Sequence, residues 1–180
     1  MGTDTTTTRE NLHKLVEREA LSFKDAQVTD LSALSEFVRL KELHFSGTAI
    51  KTIAPLENIK SLKSLHATHG PLEEIESLSQ FTDLEDLDIS NTPVYELKPI
   101  GSLKNLKSLN CSGTQIKNLN ALETLQTLES VDCSNTNVGR LDVIISPQIK
   151  TLKCYNTKVT TKRIEEFKAL HPDCNVIYYR

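Results

Sequence analysis

The sequence predicts an α/β solenoid: a right-handed superhelix with a parallel, concave sheet, short 3₁₀-like convex turns and helical caps. Two observations carry that prediction. The phrase Leu40-Lys-Glu-Leu43-His-Phe45-Ser-Gly-Thr48-Ala-Ile50 returns with its first apolar residue at Leu62, Leu84, Leu106, Leu128 and Ile149, in four steps of 22 residues and one of 21. Self-similarity at such a period marks stacked units, none of which can bury its apolar face alone. Within a unit the apolar spacing then changes. Leu87 and Ile89 alternate as a strand with one face buried, whereas Val94, Leu97, Ile100 and Leu103 fall every third residue, which suits tight 3₁₀ turns better than a full helix. A solenoid exposes a long, shallow face, which argues against a compact catalytic domain.

The elements follow in order. Residues 1–8 are small and polar and read as an unstructured terminus. Met1-Gly2 with Thr6 fits the N-myristoylation pattern, but Met-Gly is also a common expression scar. Thr7-Thr8-Arg9-Glu10 has the form of a capping box, and Leu12, Leu15 and Val16 follow at helical spacing, so residues 9–20 are expected as a helix over the first unit. The solenoid spans 21–159 in about seven units, the first a partial one built on Leu21, Phe23 and Val28. Residues 160–180 close the other end. Thr160 or Thr161 can cap a helix bearing Ile164, Phe167 and Leu170, His171-Pro172 stops it, and Val176-Ile177-Tyr178 reads as a last strand.

Parallel neighbours lie about 4.8 Å apart, so equivalent residues stack in columns. One inward column reads Phe23, Phe45, Ala67, Ile89, Cys111, Cys133, Cys154. A core position explains its cysteines as small hydrophobes; reduced thiols are expected, and with them a cytoplasmic setting, unless a signal peptide has been removed and the protein is secreted or cell-surface. Zinc is a poor reading, because no C-x-x-C pair is present. A second column, Thr48, Gly70, Thr92, Thr114, Thr136, Thr157, supplies hydroxyls to backbone groups where each strand turns away.

The pattern L-x-x-L-x-L-x-x-T-x-V/I over about residues 20–160 resembles the leucine-rich repeat family. Its 22-residue unit is similar to the class found in bacterial internalins and protein-phosphatase regulatory subunits, and Phe167-Lys-Ala-Leu-His-Pro-Asp-Cys174-Asn-Val-Ile is similar to C-terminal caps of that class. Thr stands where the family usually has Asn. The resemblance implies a curved solenoid whose sheet face binds another macromolecule, and it implies no reaction and no cofactor.

Function classes narrow further. A net charge of -3, 5% aromatics and no Trp give no reason to expect nucleic acid. No apolar run is long enough for a membrane span. The six glycines are too scattered for a phosphate loop, and neither H-E-x-x-H nor G-x-S-x-G occurs. Asn110-Cys111-Ser112 fits a glycosylation sequon, but Cys111 belongs to a core column.

Side chains between the buried ones must face outward. The central outward column reads Ser22, His44, His66, Asp88, Asn110, Asp132, Lys153, flanked by Glu42 and Asp86 on one side and Tyr155 on the other. With His69, the residues Glu42, His44, His66, Asp86, Asp88, Asn110, Asp132, Lys153 and Tyr155 are the expected partner-binding surface. Five acids, Asp25, Glu42, Asp86, Asp88 and Asp132, against Lys24 and Lys153 make it mildly acidic, so a protein partner with a basic patch is expected for a chain that is monomeric on its own. The alternatives are a metal-binding or hydrolytic site at His44, His66 and Asp88, against which parallel strand side chains argue, and a structural subunit of a larger assembly. The stretch His66-Ala67-Thr68-His69-Gly70-Pro71 departs most from the repeat. Local inconsistency of that kind marks either function or simple repacking.

Overall fold

The computed structural model describes residues 17–24 and 27–179; residues 1–8 with Met1-Gly2, Asp25 and most of the expected 9–20 helix lie outside the described residues. Where that helix was expected to end, the chain is already in the sheet. Residues 17–19 are not helical and Ala20 opens the first strand, because the Glu19 carbonyl accepts the N–H groups of Lys41 and Glu42 at 2.7 and 2.9 Å. That joint recurs. Lys63 O takes the N–H groups of Glu85 and Asp86, and Glu85 O those of Lys107 and Ser108, each pair at 2.8 and 3.0 Å.

Eight parallel strands stack in chain order: β1 (Ala20–Lys24), β2 (Glu42–Ser46), β3 (Ser64–Thr68), β4 (Asp86–Asp88), β5 (Ser108–Asn110), β6 (Ser130–Asp132), β7 (Thr151–Lys153) and β8 (Asn175–Ile177). The register is the repeat itself, with Leu43, Leu65, Leu87, Leu109, Val131, Leu152 and Val176 in one line. Short 3₁₀ turns return the chain at Ser32–Leu34, Ala54–Leu56, Glu76–Gln80, Lys98–Ser102 and Asn120–Thr124. One buried cluster runs the length of the stack, from Leu31 to Phe167 and Cys174.

The cysteines fill that core as free thiols. Burial pushes the Cys154 thiol up to about 11 and raises those of Cys111 and Cys133 well above the ordinary thiol value, which keeps them protonated and unreactive. The threonine column works as the turn chemistry requires. Thr92, Thr114 and Thr136 are buried and donate to the carbonyls of Ile89, Cys111 and Cys133, each at 2.6 Å. At the C-terminal end α1 (Thr161–Leu170) is capped by Thr160 Oγ1, which accepts the Arg163 N–H at 3.4 Å. Ile164 and Phe167 pack on the core, but Leu170 is 73% exposed, because it lies in the last turn on the outer side of the helix.

Candidate binding face

The face is built by strand alternation. In β2 and β3 Leu43, Phe45, Leu65 and Ala67 are buried, which turns His44 and His66 to the opposite side, directly paired in the ladder. Their rings stack with centroids 4.0 Å apart and planes within 7°. His66 Nε2 lies 2.6 Å from Asp86 Oδ2, and Ser64 Oγ donates to the same oxygen at 3.2 Å while standing 3.2 Å from His44 Nε2. Desolvation first, and then the neighbouring His66, hold His44 below the usual imidazole range; Glu42, Asp86 and Asp88 pull the other way. A recess of about 300 Å³ opens over these rings, bordered by Lys24, Thr68, His69 and Asp88.

Asp88, Asn110 and Asp132 stand on the same column but are engaged differently. Each turns one oxygen back to its own chain, accepting the N–H of Ser90, Ser112 and Ser134 at 2.8, 3.1 and 3.0 Å. Asn110 Nδ2 also donates to Asp88 Oδ2 at 3.0 Å, and Lys153 Nζ stands 3.6 Å from Asp132. These three brackets hold the strand exits. The recurring D/N-x-S at Asp88, Asn110 and Asp132 was the legible signal for them, since Asp and Asn side chains bond backbone two residues on.

His69 also has a backbone reason to be where it is. Gly47, His69, Asn91, Gly113, Asn135 and Asn156 share one position in successive units, and all have φ between 51° and 68°. Gly and Asn tolerate that left-handed conformation best, and His is among the enriched exceptions. At Gly113 a Cβ would also stand 2.5 Å from Asn91 Oδ1. His69 therefore lies past the end of β3, exposed, with Asn91 Nδ2 at 3.2 Å from its Nε2, and apart from the stacked pair. Tyr155 stacks on Tyr179 at 6.1 Å, at the far end of the face.

Among the described residues no three His, Cys, Asp or Glu side chains are placed to share a metal ion. Ser64 donates to Asp86, while the same Asp86 bonds a different histidine, so among the described residues of this face no imidazole bridges a hydroxyl and a carboxylate.

A single parallel sheet backed by 3₁₀ returns, with one polar concave face, is a leucine-rich repeat solenoid, and its fold is the one internalins share. Residues 4–113 match the family model of the leucine-rich repeat domain of endo-β-N-acetylglucosaminidase EndoS, and the chain belongs to that family. Internalin C2 of Listeria monocytogenes shares the fold with a TM-score of 0.82 at 21% identity, over 89% of this chain and 70% of that one. Another internalin of that organism, InlF, gives 0.66 at 22% identity, over 84% of this chain and 51% of its own. The functional domain of InlJ, described as including a cysteine ladder, gives 0.65 at 14% over 89% of this chain and 43% of its own. The chain thus spans about half or less of the latter two. No curated protein matches it in sequence. Among the described residues no helix is long and apolar enough to cross a membrane.

Proposed function

We propose that the chain is a non-enzymatic protein-interaction module whose partner contacts the concave face, centred on Glu42, His44, His66, His69, Asp86 and Asp88 and running on through Asn110, Asp132, Lys153 and Tyr155. One observation carries this reading. The stacked His44–His66 pair over Asp86 is half-buried and ionisable, yet its polar bonds run only among surface side chains beneath an open recess. Of the described charges on the face, Glu42, Asp86, Asp88 and Asp132 outnumber Lys24 and Lys153, which suits a partner that presents basic side chains to a monomeric chain. The free, buried thiols support a reducing, cytoplasmic setting. The family name joins a repeat domain to a glycosidase, and the geometry here supports the binding half of that description.

Photo-crosslinking residues placed singly at Glu42 and Asp86, and for contrast at Glu57 and Glu123 on the 3₁₀ side, test the reading in native lysate. The same partner captured from Glu42 and Asp86 but not from the controls is expected. Capture from Glu57 or Glu123 alone puts the contact on the convex side and removes the concave reading.

A further inference from the structure

A second recess lies away from the sheet face, on the flank between the third and fourth units, where the chain descends into the 3₁₀ turns Glu76–Gln80 and Lys98–Ser102. Its volume is about 510 Å³, within the roughly 300–1,000 Å³ of ordinary ligand sites. Its apolar lining comes from Pro99, the Tyr95 ring and the edge of the buried Ile75. Tyr95 is 59% exposed and outside the core cluster; among the described residues the other strongly exposed aromatics, Tyr178 and Tyr179, sit at the C-terminal end. Around the rim Glu73, Glu76 and Glu96 form no ion pair among the described residues, and they face a single cation, Lys98. The acids at the strand entrances are handled otherwise, with Glu85 held between Lys63 and Lys107, Glu19 by Lys41 and Glu129 by Lys150.

We infer that this flank groove is a second binding site, separate from the concave face, which takes an arginine or lysine side chain of an extended basic segment in a partner protein. Apolar and carboxylate side chains lining one groove match a side chain whose aliphatic stem wants burial and whose head wants negative charge. The exposed Tyr95 ring offers a face to the same cation. Three carboxylates against one ammonium leave the lining two charges negative, so an acidic segment is disfavoured and a neutral one gains only the apolar contacts.

The probe is the peptide acetyl-Gly-Arg-Gly-Arg-Gly-amide, titrated into the intact chain with backbone amide shifts as the readout, beside the same peptide with Gln for Arg. The Arg peptide is expected to move the amides of Glu73, Ile75, Tyr95 and Glu96 and the Gln peptide to leave them in place. Tyr95→Ala, and Glu76→Gln combined with Glu96→Gln, should each weaken binding about three- to tenfold while the melting temperature holds, since an exposed ring contact and a pair of solvent-screened carboxylates each add only a few-fold to affinity. Equal response to both peptides, no response at millimolar peptide, or shifts that map to Glu42 and Asp86 with Tyr95→Ala binding like wild type would each overturn the assignment. The last of these outcomes would leave the concave reading standing, so the two failures are distinguishable.

Discussion

His44 and Asp88 lie in one outward column, two strands apart, and answer to different constraints. Protonating His44 sets its charge in a half-buried position against the His66 ring 4.0 Å away, which is why its folded pKa falls below the unfolded value of about 6.5. The sign follows directly. Between those two values the unfolded chain binds more protons, so this group's contribution to stability is complete above about pH 6.5 and is lost as pH falls through the window below it. Proton NMR should place the His44 midpoint below 6.5, and His66→Ala should raise it by removing both the cover and the neighbouring charge; an unmoved midpoint would show that the stack does not set it. Asp88 is a bracket first. Asp88→Ala removes the acceptor for the Ser90 N–H and for Asn110, and should cost about 1 kcal/mol in denaturant melts. Asp86→Ala touches only surface side chains and should stay within about 0.5 kcal/mol. Both acids were legible as outward residues because strand alternation is a two-residue rule. Their division of labour was not, since it depends on which oxygen finds which N–H.

The element between β6 and β7 shows how the stack absorbs a shortened step. The unit step here is 21 residues instead of 22 and the return has no 3₁₀ helix, yet Ser146 is fully buried with Oγ at 2.9 Å from Gln126 O and 2.7 Å from Leu128 O, and it accepts the Gln148 N–H at 3.2 Å. Earlier units do the same with Thr127, at 2.8 Å from Lys104 O and Leu106 O, and with Ser61, at 2.8 Å from Val38 O and Leu40 O. A shortened loop survives because the hydroxyl still reaches both carbonyls. Ser146→Ala leaves buried carbonyls without a donor and should cost about 1–3 kcal/mol. Ser134 is the contrast: its Oγ is buried with no hydrogen-bond partner, so Ser134→Ala should be neutral or stabilising in the same melts. A large loss at Ser134, or none at Ser146, would reverse that accounting. Strands, returns and the buried columns were readable because a 22-residue period aligns them. The left-handed column from Gly47 to Asn156 was printed in the same alignment, as Gly and Asn at one position, and was obscured by His69, whose type suggests chemistry before backbone.

At the scale of the molecule, stability is carried along one axis. Each unit touches chiefly its neighbours, so a solenoid behaves as a row of coupled segments in which a central fault and an end fault have different reach. Leu87 lies in β4, fully buried between Leu65 and Leu109. Leu87→Ala opens a cavity in the middle of the row and should cost about 2–5 kcal/mol, lowering amide-exchange protection on both sides of β4. Phe167 belongs to α1, which closes the C-terminal end, and its ring lies 4.5 Å from that of His171. Phe167→Ala should cost a similar amount locally, about 3–5 kcal/mol, but the row can fray there without breaking. Protection should therefore fall in β7 and β8, where Cys154 N–H donates to Ile177 O and Asn175 N–H to Lys150 O, while β2 to β4 keep their wild-type exchange rates. Cys154 supplies an independent readout, because fraying exposes a thiol that burial otherwise keeps protonated; it should react with a bulky maleimide in Phe167→Ala while Cys111, deeper in the stack, does not. Uniform loss of protection from β2 to β8 in the Phe167 variant would mean that the units unfold as one body, and that the end helix holds the whole solenoid instead of sealing it.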